Sequence, residues 1–97
     1  MIEQAKGGLR VTAPMVIANA RTLLETGERL LRSVERSAQA VIDLAEVREV
    51  DSSALSVVFA WQRKAGQRDI KLRIANPPAS MISLAALYGV SELLPLA

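Results

Sequence analysis

The 97-residue chain has no cysteine and no histidine. The first absence removes disulfides and thiolate metal sites, and fits a cytosolic protein. Together they remove the usual general base, the thiol nucleophile and most transition-metal ligands. There is no Gly-rich phosphate loop ending in Lys-Ser/Thr. Asp43, Glu46, Glu49 and Asp51 cluster in sequence without a recognisable hard-cation loop. We therefore expect no enzyme, no cofactor and no metal. Aromatic residues number only three, so an apolar share of 51% must build its core from Leu, Ile, Val and Ala. Twelve basic and ten acidic residues leave a net charge of +2, too balanced to argue for nucleic acid. No block of like charge reads as a membrane tail, and no apolar run could span a bilayer. Met1 to Lys6 lacks the apolar segment of a secretory signal. The expectation is one soluble cytoplasmic domain over residues 1–97.

What is present is organised around Ala40-Val41-Ile42-Asp43-Leu44 and, after a charged connection, Val50-Asp51-Ser52-Ser53-Ala54-Leu55. The first run has the aliphatic, β-branched composition of a strand buried on both faces. Asp51 or Ser52 then caps a helix, because a short side-chain oxygen accepts a bond from a first-turn N–H. Asp-Ser before an apolar helix is usually no more than a cap. This helix is less ordinary. At roughly 100° per residue, Ala54, Leu55, Val57, Val58, Phe59, Trp61 and Ala65 sweep a wide apolar arc. The remaining face holds Ser52, Ser56, Ala60 and Arg63, flanked by Ser53 and Lys64. Small side chains, where a solvated face carries Glu, Lys and Gln, let another backbone approach closely. That face reads as a docking surface.

The rest of the chain supplies the frame. Leu9, Val11 and Ala13 alternate with Arg10 and Thr12 as a half-buried strand does. Gly7-Gly8 reads as a hairpin turn with Ile2 to Lys6 as a weak partner strand. Pro14 ends regular pairing or places this segment at a sheet edge, and Met15 to Ala18 reads as loop. Asn19 caps a helix to about Ser33 or Val34, with Leu23, Leu24, Gly27, Leu30 and Leu31 on its apolar face. Glu25 and Glu28 precede Arg29 and Arg32 at supportive spacing. Gly27 reads as a close approach to the sheet. Gly66 stops the central helix, and Asp69 to Ile74 forms a strand covered on one face, its outer side shared by Lys71, Arg73 and Arg10. A third helix runs from about Ala79 to Tyr88, facing inward through Met81, Leu84, Ala85 and Tyr88, with Gly89 as its left-handed cap. Ser91 to Leu94 is a last short element, and Leu93, Leu94 and Leu96 are either tucked inward or exposed for a partner. Alternating strands and helices predict an α/β sandwich: a mixed sheet of about four strands, with three to four helices mainly on one face.

Val41 to Leu44, Val47 and Val50 to Leu55 resemble the core motif of the STAS domain family, which includes anti-sigma-factor antagonists. The resemblance extends through Trp61 to Ala65, Ile74 to Pro78, Leu84 to Val90 and Leu94-Pro95, and is looser over the first helix. It implies the STAS fold. It also implies that Asp51 and Ser52 match the Asp-Ser or Asp-Thr pair opening the family's key helix. In the antagonists that hydroxyl is phosphorylated by a partner kinase. In MlaB-like members it lies at the contact with the ATPase of a phospholipid-transporting ABC system of Gram-negative bacteria.

Two departures separate this chain from the antagonists. Ala54 stands where they usually carry Gly, and Ala13-Pro14-Met15-Val16 lacks the acids that help engage a kinase. The resemblance therefore favours the MlaB-like branch. It implies a MlaF-like ATPase as partner and, through it, a MlaE-like permease, with the domain held peripherally on the cytoplasmic side of the inner membrane. The implied contact set is Asp51, Ser52, Ser53, Ser56, Ala60, Arg63 and Lys64. The alternative is an antagonist switched by phosphorylation of Ser52. An apolar-ligand or lipid-binding domain is a third class, resting only on the apolar surplus.

Overall fold

Two short strands, β1 (Ile2–Ala5) and β2 (Gly8–Val11), open the chain as an antiparallel hairpin. The computed structural model describes residues 1–5 and 7–97. Ala5 pairs with Gly8, so Gly8 is not part of the turn as expected, and Gly7 takes a φ of +82°. Lys6, expected to end the first strand, lies outside the described residues. Gly8 belongs to β2, where a Cβ would collide with the backbone of Val41 on the next strand. After the hairpin come α1 (Ile17–Leu31), β3 (Gln39–Asp43), α2 (Ser53–Gly66), β4 (Lys71–Ala75), α3 (Ala79–Leu87) and a 3-10 turn at Ser91–Leu93. No helix of the described residues is long and apolar enough to cross a membrane.

The sheet order is β1-β2-β3-β4, with β2, β3 and β4 parallel. Parallel neighbours need crossovers, and right-handed crossovers stepping the same way place their helices on one face. Leu9, Val11, Ala40, Ile42, Leu72 and Ile74 on that face are buried. The other face is open, and this corrects one expectation: β3 is covered on one side only, with Val41 and Asp43 half-exposed. An aliphatic run does not distinguish a strand between two helical layers from one beneath a single layer.

Arg10 dominates the open face, within ion-pair distance of Glu3, Asp43 and Glu46 (3.6, 3.7 and 3.9 Å). Among the described residues these are the only ion pairs, so the expected Glu–Arg pairs along α1 are not made within 4 Å. Asp43 also accepts from the Ala45 N–H and the Asn76 amide. These bonds, with the Arg10 charge, hold its carboxyl below the usual range.

Gly27 meets a different neighbour from the one expected. A Cβ there would fall within the indole of Trp61 on α2, so the glycine permits close packing of two helices rather than approach to the sheet. Trp61 is fully buried, its Nε1–H directed at the carbonyls of Leu23 and Leu24 (3.2 and 3.4 Å). At the other end, Leu94 is buried while Leu93 and Leu96 are exposed. The last residues run beside β4, where Ile74 exchanges backbone bonds with Pro95 and Ala97 (2.8 and 2.9 Å).

Candidate functional site

Met15 brings the site together. It is buried, its N–H donates to the Glu49 carbonyl (2.9 Å), and its carbonyl accepts from the Asp51 N–H (3.2 Å). The segment expected as loop is thus a one-residue parallel bridge to Val50, followed at once by α1. It clamps the entry of α1 against the entry of α2, at the carboxyl ends of β2 and β3, where open α/β sheets commonly form their sites.

Asn19 does not cap α1. It is the helix's third residue, and its side chain donates back to the Pro14 carbonyl (2.8 Å). The position before the helix is Val16, which has no oxygen to offer. The first N–H, that of Ile17, instead donates to Asp51 Oδ2 at 2.9 Å. The other oxygen of Asp51 accepts from the Ser53 N–H at 2.9 Å and from the Ser53 hydroxyl. One carboxylate therefore serves the first turns of two helices. The Ser53 hydroxyl, the Ile17 N–H and the Ser53 N–H together hold its pKa below the usual value.

Ser52 occupies the cap position of α2 without capping it. Its backbone is already helical (φ −62°, ψ −22°), and its hydroxyl makes no cap bond. With Asp51 doing that work and Ser53 turned toward Asp51, Ser52 is the exposed hydroxyl of the pair.

Around it lies an open groove of about 490 Å³ between α2 and the end of α3. Ser52, Ser53 and Ser56 form its floor, with Phe59, Ile17, Tyr88 and Val90 around them. Ile17 is 74% exposed and Tyr88 57% exposed. The expected inward face of α3 is thus shorter than its spacing implied: Met81 and Ala85 are buried, Leu84 is half-buried, and Tyr88 turns outward. Ala60 is half-buried one turn beyond Ser56, and Arg63 is exposed. Lys64 instead lines a cleft with α1 at the far end of the helices.

The groove offers hydroxyls, a wall of apolar side chains and no charge of its own. Every residue from Pro77 to Ser91 is uncharged. Such a surface suits another protein's apolar side chains over a polar or charged small molecule. The family model described as "Mlab, STAS domain" matches residues 2–95. The chain belongs to the STAS domain family. Its STAS fold is shared with a candidate anti-sigma factor antagonist from Thermotoga maritima (TM-score 0.75, 12% identity, 99% of this chain and 83% of that one). An anti-sigma-factor antagonist (STAS) domain protein from Planctomyces limnophilus matches equally well (TM-score 0.75, 9% identity, 99% and 86%). A sulfate transporter family protein from Wolinella succinogenes is similar over 88% of this chain and 67% of that one (TM-score 0.64, 15% identity). At these identities the likeness concerns the fold. No curated protein sequence matches the chain.

Proposed function

We propose that this STAS domain is a non-enzymatic accessory subunit that docks through the start of α2 onto the ATPase of a Mla-type phospholipid ABC transporter. In this reading it binds and regulates that ATPase on the cytoplasmic side of the inner membrane. It reaches the permease only through the ATPase, and supports outer-membrane lipid asymmetry indirectly. The observation that carries the proposal is the exposed Ser52 hydroxyl, uncommitted to its own helix, on the floor of an uncharged groove. The MlaB label of the family model supports the choice of partner. Ser52 is the contact centre, Ser53, Ser56 and Ala60 flank it, Ile17 and Tyr88 form the apolar walls, and Arg63 and Lys64 lie beyond. Asp51 is a positioning residue, because both of its oxygens are occupied within the chain.

A second reading has its own support. A hydroxyl exposed at a helix start, as Ser52 is, is open to a kinase, and the added phosphate would bring nearly two negative charges to a close-packed surface. In that reading the domain is an antagonist of an anti-sigma factor. The experiment that separates the two is co-purification from native membranes, comparing the wild type with Ser52→Arg. An ABC ATPase and permease retained by the wild type and lost in the variant support the transporter reading. A co-purifying serine kinase, with phosphate on Ser52, supports the antagonist. An ATPase retained equally by both proteins sinks the proposed docking face.

A further inference from the structure

At the opposite pole of the two long helices, a cleft of about 190 Å³ separates their C-terminal ends. Glu28, Leu31 and Arg32 of the α1 end line one side, and Lys64, Gln67 and Arg68 of the α2 end line the other. Three cations against one carboxylate leave the cleft a formal charge of +2 (3 − 1).

Basic side chains near helix ends ordinarily serve the last carbonyls. Here most of those carbonyls, though not those of Arg29 and Lys64, already have backbone partners. Glu28 accepts from the Arg32 N–H, Leu30 from Ser33 and Leu31 from Val34. Arg63 accepts from Gln67, and Ala65 from Arg68 and Ile70. Nor are the cations neutralised: among the described residues, every ion pair belongs to Arg10. Arg68 is held in place by its Nη2 donating to the Val34 carbonyl at 3.0 Å, while its Nε is buried with no acceptor. That Nε is closed to the cleft as well as to water, so the guanidinium meets a ligand only through its remaining N–H groups.

We propose that this cleft binds a phosphate-type dianion, either free or as the terminal phosphate of a larger molecule. The guanidinium of Arg68 is the fixed donor, anchored before the ligand arrives. Arg32 and Lys64 are exposed on either side and close over the ligand's remaining oxygens, and the Gln67 amide adds a neutral donor. The net charge of +2, with Glu28 already counted, matches a dianion, and the negative C-terminal ends of the two helices limit affinity. The site lies away from Ser52, shares only Lys64 with the outer edge of the proposed docking face, and does not depend on the docking reading.

The test is an amide NMR titration of the whole chain with inorganic phosphate, with ionic strength held constant by chloride. Saturable shifts confined to the ends of α1 and α2 are expected. The double variant Arg32→Gln/Lys64→Gln alters only exposed side chains, and should weaken binding by about tenfold or more through loss of two charge-assisted contacts. Glu28→Gln should tighten it several-fold. Flotation with phosphatidylcholine vesicles, with and without phosphatidic acid, identifies the source. Capture by phosphatidic acid that the double variant loses assigns a lipid headgroup. Saturable phosphate binding without capture assigns a soluble phosphate compound. No saturable shifts and no capture, or shifts unchanged in the double variant, would overturn the proposal.

Discussion

The Ile17 N–H donates to the Asp51 carboxylate at 2.9 Å across 34 residues of chain, so α1 is capped by a residue that belongs to the start of α2. The two helix entries therefore form one unit. Asp51→Ala should lower the urea midpoint and speed amide exchange at both Ile17 and Ser53. Ser52→Ala should change neither, since its hydroxyl makes no cap bond. Equal effects from the two substitutions would show that Asp51 has no special part in holding the entries together.

Acid should weaken the fold through Asp43 and Asp51. Hydrogen bonds, led by the Asn76 amide for Asp43 and the Ser53 hydroxyl for Asp51, depress both folded values below 3.8. A depressed folded value gives stability that is present above the unfolded value and lost as pH falls through the folded one. Urea midpoints should hold near neutrality and decline from about pH 4 downward, the region of an unperturbed Asp. Asp43→Asn/Asp51→Asn should start less stable and decline less steeply. An identical slope in the double variant would assign acid sensitivity to other groups.

Glycines at two helical positions should respond in opposite directions to alanine. At Gly27 the added methyl meets the Trp61 indole, and overpacking of this kind typically removes about 1–3 kcal/mol. That outweighs alanine's helix preference of about 1 kcal/mol. At Gly66, which closes α2, nothing lies within 4 Å of the new Cβ. Gly66→Ala should gain about 0.4–1 kcal/mol by restricting the unfolded chain. Denaturant melts of the two variants check both signs.

Partner affinity should depend on the apolar walls of the groove. Ile17→Ala and Tyr88→Ala remove exposed side chains and should leave urea midpoints unchanged. In calorimetric titrations against the purified ATPase, at least one of them should weaken binding by about fivefold or more, the scale of an interface residue worth over 1 kcal/mol. Lys71→Ala, an exposed residue at the far end of the sheet, serves as the neutral control. Equal weakening by all three would deny the groove any special role.

The sequence was informative where local pattern decides structure. The edges of α2, the alternation in β4, the stop at Gly89 with its φ of +71°, and the exposure of Ser52 and Ser56 all lie within a few residues of their cause. It was silent where the cause is distant. The start of α1 is invisible locally, because its capping oxygen belongs to Asp51 and its clamp is the bridge from Met15 to Val50. The apolar pattern of β3 could not say whether one layer of helices or two would cover it. Gly27 could be placed on the apolar face of α1 but not against Trp61. Ile17, Phe59, Tyr88 and Val90 join the groove only in three dimensions. The one available signal was that Pro77 to Ser91 carries no charge.

Trp61, the sole tryptophan, sits wholly inside the seam between α1 and α2, away from the groove's lining. Its emission is thus a built-in gauge of how far apart those two helices stand, and is blind to mere occupancy of the surface. A partner that settles on a rigid domain will leave the spectrum untouched. One that levers Ile17 outward must disturb the carbonyls of Leu23 and Leu24 on which the indole rests, and will announce itself by colour.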